Sequence, residues 1–474
     1  MNFAPPQVNI VPATAPSFGA RPGVRSPHPV ATGILLVYLF LLVGRGVEML
    51  PGALGVNLHL TLVLMMVSLV TAILTGGLLD AVKAPVVLMF TAFTSWFLLT
   101  IISSQWRGGS VMTLTGLWLP SFPCVILIPS LISSLDQCRK ACYVLAFSLL
   151  PILLATVVFQ SQIAGRDQTL FGTLGNPNDL AFSLLLLIPF AVFVIKSESL
   201  WSWKAIACVL AILFALLKTL KTGSRAGLIT LAVCFVILFL GGKMITKLKL
   251  VGLVGLMIAI TVATVPRQTI QRYATIFSGT SVDVTMSEDQ MSAVESATAR
   301  KMLFQESVRL MLEHPLFGVG PGIFSAALAG EQKTRGLQQS WHEAHNSYTQ
   351  IGSEMGIPAF LIYVAVLVYS MKRAISIYRR TRKNPAQIAI CRMAASLSMA
   401  LVIFAICAAF GTYSYTFHLP VLAGLVQAFD MCVRKETNRT PSIVPALLPT
   451  RPAVTPNPQV PSYVRNRRLR HDRA

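Results

Sequence analysis

The stretch "WHEAHNSYTQIGSEMGIP", residues 341–358, gathers His342, Glu343, His345, Tyr348 and Glu354 just ahead of a long apolar run. Histidine is the side chain best suited to proton transfer near neutral pH, so His345 is the candidate catalytic residue. "HEAH" is similar to a zinc-peptidase motif, but that motif needs histidines four apart. Here they stand three apart with no third ligand at a recognisable spacing, and we expect no metal. A helix from about 345 to 371 would be long enough to cross a bilayer, with His345 at its outer mouth. Gly352 and Gly356, four apart, would allow close helix packing below it.

Three further groups are basic. "LKTLKTGSRAG", residues 217–227, carries Lys218, Lys221 and Arg225, which share a face if one helix runs through them. Short outer hairpins of membrane proteins normally shed Lys and Arg, so this turn suggests a site for an anionic group. Arginine suits phosphate because its fork gives paired hydrogen bonds. Arg225 is the preferred ligand, with Lys221 beside it, and Lys218 is expected to snorkel from a helix end. "SATARKMLFQESVRLMLEHPLFGVGPGIFSAAL", residues 296–328, predicts an amphipathic helix ended by "HPLFGVGPG". Arg300 falls in its first turn, where acidic groups are favoured, so it is expected to serve something other than the helix. Lys301 and Arg309 are expected to be solvated. "LFGTLGNPNDLAFS", residues 170–183, contains an Asn-Pro turn with Asn178 or Asp179 as helix cap. Asn176, Asn178 and Asn346 are candidate contacts for sugar hydroxyls.

The elements that position these groups follow from composition. The chain has 474 residues, 54% hydrophobic and 12% charged, against about 25% charged in soluble domains. Apolar runs near the ~20 residues of a membrane span recur throughout, so this is an all-α integral membrane protein. We expect about 12 transmembrane helices, near 31–45, 58–79, 84–104, 111–134, 141–160, 178–195, 201–218, 226–242, 248–265, 346–371, 393–411 and 414–432. The net charge of +21 is spread over short loops and tails, not over one face as in nucleic-acid binders. With both termini inside, 26 of the 39 Lys and Arg fall on the inner side, which places the long loop outside. The expected organisation is a Pro-rich disordered tail (1–30), transmembrane helices 1–9 (31–265), a large helical outer loop (266–345), helices 10–12 (346–432) and a basic disordered tail (433–474). A cleaved signal peptide is not expected. The eight cysteines form no disulfide or zinc pattern and are expected to be buried free thiols.

In order and spacing, "GTLGNPNDLA", "KTGSRAGLITL", "ARKMLFQESVRLMLEHPLFGVGPGIF" and "HEAHNSYTQIGSEMGIPAFLIY" resemble the O-antigen ligase / O-antigen polymerase superfamily over roughly residues 165–365. The resemblance implies a fold similar to lipid-carrier-dependent membrane glycosyltransferases, in the bacterial inner (cytoplasmic) membrane, with the long loop periplasmic. It implies metal-independent, inverting transfer of a glycan from undecaprenyl diphosphate to an acceptor hydroxyl such as that of lipid A-core, with no cofactor. Arg225 and Arg300 match the arginines that engage the donor diphosphate, and His345 matches the histidine required for transfer. A polymerase extending O-antigen or exopolysaccharide on its own carrier shares this donor chemistry. A polysaccharide transporter or flippase is a third reading, but it calls for charges at the membrane midplane, and the apolar runs hold almost none. Two features depart from the family pattern: "IPAF", where many members carry glycine after the proline, and the absence of an extra C-terminal periplasmic domain, which makes a protein acceptor less expected.

Overall fold

The computed structural model describes residues 28–55, 59–163, 165–170, 172–265, 269–270, 273, 288–336 and 341–439. The apolar runs form α1 (Pro29–Val43), α2 (Gly46–Leu54), α3 (Leu60–Leu74), α4 (Pro85–Ile102), α5 (Arg107–Leu131), α6 (Leu135–Val158), α7 (Pro177–Ser197), α8 (Trp203–Lys221), α9 (Arg225–Gly241) and α10 (Met244–Thr264). The expected outer loop contributes α11 (Glu288–Glu313) and α12 (Phe324–Thr334). The chain then continues as α13 (Ser347–Thr381), α14 (Ile388–Ala408) and α15 (His418–Arg439). Among the described residues, eight helices are long and apolar enough to cross a membrane, or nine if the bent pair α1–α2 counts as one span. The other three expected spans fall on α3, α9 and α15, so length and hydropathy alone do not establish twelve.

Two features extend the expected architecture. A short antiparallel hairpin, β1 (Gln160–Ile163) and β2 (Arg166–Thr169), leads from α6 toward α7. The long helix α13 runs ten residues beyond the expected end at 371, to Thr381. The expected disordered tails, 1–30 and 433–474, lie almost wholly outside the described residues, as does the stretch 274–287 of the loop 266–345. Pro29 and Val30 already belong to α1, and α15 continues to Arg439. Residues through Arg434 form one compact unit, and Lys435–Ala474 separate as a second.

The inside of the bundle is set by packing. The sequence of α7 is apolar all round, and the helix is enclosed by α6, α8, α9 and α14. By contrast, α10 turns Ile245, Leu248, Val251, Ile258 and Val262 outward. Such a continuous apolar exterior needs a lipid surrounding rather than water. Seven of the eight cysteines are buried, Cys234 is half-buried, and all are free. The outer loop has a small core of its own, in which Leu303 and Leu310 of α11 pack with Val319, Ile323, Phe324 and Leu328. Met302, Phe304 and Leu312, expected on its apolar face, are exposed instead.

That loop is spliced into α13, because α13 is broken. Pro358 has no N–H, and its ring conflicts with the carbonyl four residues back. Gly356 takes φ 79° and ψ 175°, a conformation that L side chains rarely adopt. The break frees three carbonyls, and each finds a donor from elsewhere. Val319 N–H donates to Ser353 O, Gly320 N–H to Glu354 O, and Trp96 Nε1–H to Met355 O, each at 2.9 Å. Ile357 N–H in turn donates to Pro315 O at 2.7 Å. "HPLFGVGPG" therefore does more than end a helix: it completes the hydrogen bonding of a membrane helix that has been opened. Gly352 packs against Met311 of α11, as close helix contact requires, whereas Gly356 serves the break.

Candidate active site

The long polar helix α11 begins at Glu288, so Arg300 lies at its middle and not in its first turn. The polar run 288–297 has no apolar periodicity to betray a helix, and its opening Glu288 and Asp289 are the residues a helix N-terminus favours. Arg300 is therefore an interior residue of α11, and its neighbours fix its place. Ser307 of α11 donates to Thr349 of α13 at 2.8 Å, both buried. Arg309 is not simply solvated: it pairs with Glu306, Glu313 and Glu331, which fastens α12 to α11 and holds its own ionisation well above the ordinary range.

Residues 341–346 are not helical. His342 and His345 consequently share no helix face. Asn346 caps α13, accepting from Tyr348 N–H (3.0 Å) and Thr349 N–H (3.1 Å). His345 precedes this cap in the left-handed region, φ 51°, a conformation that costs a non-glycine residue of order 1 kcal/mol and is concentrated at functional sites. It is half-buried. Burial, the Arg300 charge and His342 together lower its pKa to about 4, so the imidazole is neutral at pH 7. Arg300 and His345 are thus electrostatic neighbours although 45 positions apart in the chain. We predict that Arg300→Gln raises the His345 pKa, because one of the groups lowering it is gone. Titrating the His345 ring by NMR in wild type and variant checks this, and an unchanged midpoint would show that Arg300 exerts no field there.

At the other basic element the helix does not run through. It ends as α8 at Lys221, turns through Thr222–Ser224, and restarts as α9 at Arg225. Lys218, Lys221 and Arg225 accordingly do not share one face. Ser224 caps α9 by accepting from Gly227 N–H at 3.2 Å, and Arg225 stands half-buried as the first residue of that helix. A helix N-terminus bearing an arginine favours an anion. Lys218 is not a snorkelling side chain: it is buried and bonded to Asp167 Oδ2 at 3.0 Å and Thr156 O at 3.2 Å. Asp167 comes from β2, a hairpin whose pairing the sequence did not announce.

Asn178 joins this turn to the next. Its Oδ1 accepts from Ser224 Oγ at 2.9 Å and from Arg166 at 3.2 Å, and Arg166 also reaches Thr222 O at 2.8 Å. The cap of α7 is Asn176, not Asn178 or Asp179; it accepts from Asn178 N–H at 2.9 Å. Asp179 instead accepts from Tyr413 OH at 2.8 Å. Tyr413 N–H donates to Ser347 Oγ at 2.7 Å, two positions after His345. A line of hydrogen bonds therefore runs from the residue before Arg225 to the start of α13, and Glu343 lies within electrostatic reach of Asp179. Asn176 and Asn346 use their carbonyl oxygens as caps, which leaves only their amide nitrogens for a sugar.

Neither Glu354 nor the "GTYSY" turn, residues 411–415, is a site candidate by sequence. Glu354 is fully buried and accepts from Gly322 N–H (2.9 Å), Phe324 N–H (3.2 Å) and Tyr415 OH (2.6 Å). A carboxylate in an apolar run was the available signal, since such a group is rarely buried without partners.

These features define a multi-pass membrane protein whose polar chemistry gathers where α7, α9, the outer loop and α13 begin. A family model described as O-antigen ligase matches residues 207–364. The match covers about a third of the chain and supports the O-antigen ligase/polymerase superfamily, whose members are in general enzymes acting on lipid-linked glycans. The matched segment contains Lys221, Arg225, Arg300, His345 and Asn346, and begins after Asn176 and Asn178. No curated protein matches the chain.

Proposed function

We propose that this protein transfers a glycan from undecaprenyl diphosphate to an acceptor hydroxyl of lipid A-core at the periplasmic face of the bacterial inner membrane. Arg225 and Arg300, with Lys221, hold the donor diphosphate. His345 orients the acceptor hydroxyl and takes its proton. A bond forms between the acceptor oxygen and the anomeric carbon, and the bond from that carbon to the diphosphate oxygen breaks. The carrier leaves as a diphosphate anion, which is already a competent leaving group. The protein then needs only to stabilise that charge and to orient the nucleophile. Attack opposite the leaving group inverts the anomeric centre. In this reading Asn176, Asn178 and Asn346 meet sugar hydroxyls. Both termini are cytoplasmic and 266–345 is the periplasmic loop, consistent with the basic inner end of α13.

The observation that carries this reading is a neutral, half-buried His345 beside Arg300 within the family segment. The test is direct. Purified protein in detergent receives labelled undecaprenyl-diphosphate glycan with EDTA present, and either lipid A-core or a second carrier-linked glycan. Label on lipid A-core is the expected result. Elongation of the second carrier glycan identifies a polymerase, and transfer to neither acceptor favours a transporter.

A further inference from the structure

Among the described residues, only Arg45, His59 and His345 are non-glycine residues with a left-handed backbone. Arg45 sits at the joint between α1 and α2, where the helix axis bends by 64°. It is 4% exposed. An arginine so buried within a membrane bundle has to be paired or it is prohibitively costly. Its guanidinium donates to Glu48 Oε1 at 2.6 Å, Thr173 Oγ1 at 3.3 Å and His418 Nε2 at 3.3 Å, and lies 5.0 Å over the Phe417 ring. Arginine cannot accept, so His418 accepts at Nε2 and carries its proton on Nδ1, facing Thr416 Oγ1 at 2.9 Å. Arg45 Nε has no hydrogen-bond partner.

Glu48, held by Arg45, reaches the turn ahead of α7. Its Oε2 accepts from Thr173 N–H at 2.7 Å and its Oε1 from Thr173 Oγ at 3.0 Å. Gly172 has φ 66°, and a Cβ there would collide with the Glu48 carboxylate. The clamp is therefore built on backbone and leaves the turn one position. That turn leads directly to Asn176 and Asn178, and Asn178 is bonded to Ser224 beside Arg225. A role confined to bending α1 against α2 would not require a carboxylate gripping a segment 125 residues away.

We propose that Arg45 and Glu48 are positioning residues: they fix the 172–178 turn so that Asn178, Ser224 and Arg225 present a set anion site toward His345. The proposal rests on the reading of Arg225 as a diphosphate ligand. It concerns how that ligand is placed, and its test separates the two.

The full-length protein carries Glu48→Gln, Thr173→Val or Arg225→Ala, and donor and acceptor kinetics are measured together with thermal unfolding and hydrogen exchange of the Thr173 amide. Glu48→Gln keeps the shape but removes the charge that holds Arg45. Thr173→Val removes one hydroxyl and keeps the backbone bond. Both are expected to raise donor KM about tenfold, the loss of one charge-assisted hydrogen bond, with acceptor KM unchanged. Glu48→Gln is also expected to speed Thr173 amide exchange, and Thr173→Ser to restore donor KM. If Arg225→Ala raises donor KM while Glu48→Gln and Thr173→Val do not, the proposal is overturned and the anion-site reading survives. If Arg225→Ala leaves donor KM unchanged, both fall. Activity lost only in proportion to unfolded protein also overturns the positioning role. Should Glu48→Gln yield no folded protein, Thr173→Val carries the test.

Discussion

His345→Ala should lower kcat by about 10²–10⁴-fold, the range for a positioned proton-transfer group, with donor KM nearly unchanged. The side chain precedes the cap of α13 in a left-handed conformation, so its place is dictated by backbone rather than by a flexible tether. Its pKa of about 4 keeps the imidazole neutral and able to accept a proton at pH 7. A base of that pKa is a weak one. In the proposed transfer the proton of the hydroxyl therefore moves late, once the diphosphate has begun to leave and the hydroxyl has become acidic. The sign of the pH dependence follows. The acidic limb of kcat/KM, which reports the donor-free enzyme, falls only as pH approaches 4, where His345 gains its proton. A bound diphosphate offsets the positive field of Arg300 and raises the pKa, so the acidic limb of kcat lies at higher pH than that of kcat/KM. Steady-state kinetics across pH 4–8 with wild type, His345→Ala and His345→Gln check both statements. Full-rate transfer by His345→Ala would remove the residue from the mechanism.

Glu354→Ala should destabilise the protein by about 3–5 kcal/mol, because a buried hydrogen-bonded hub is lost while its donors stay buried. The donors are the Gly322 and Phe324 N–H groups and the Tyr415 hydroxyl, one set in the outer loop and the other in the turn before α15. Glu354 also lies beside the break at Gly356, where its own carbonyl accepts from Gly320. One residue thus holds the outer loop to α13 through side chain and backbone alike. The loop carries Arg300 and the helix carries the His345 segment, so Glu354→Ala should lower activity of the folded protein too. Thermal unfolding in detergent and hydrogen exchange over 315–324 measure the effect. An unfolding temperature within a degree of wild type would show that the carboxylate is dispensable.

What was legible in the chain is local. Run length against bilayer thickness marks the membrane helices, because a span must be long enough to satisfy its own backbone across the hydrocarbon. Pro, Gly, Asn and Ser mark the turns at 172–178 and 222–224, because caps act within three residues. Arg225, Arg300 and His345 stand out because charged groups are scarce in so apolar a chain. Misplacements arose where local pattern was weak or misleading. Arg300 reads as a first-turn residue because the polar stretch before it has no apolar period, and Lys218 reads as a surface group because its partner Asp167 is on a hairpin 51 residues earlier.

The amino-acid sequence by itself determined that this is a polytopic membrane protein, and it singled out the few residues proposed to bind an anion or move a proton. Only the tertiary structure decided that Arg300 depresses the His345 pKa, that the outer loop repairs the break in α13, and that Arg45, Glu48, Thr173 and His418 form one hydrogen-bonded network. The physical reason is common to all three. Each depends on a donor meeting an acceptor, or a charge acting on a neighbour, across long stretches of chain, and periodicity and capping act over only a few residues.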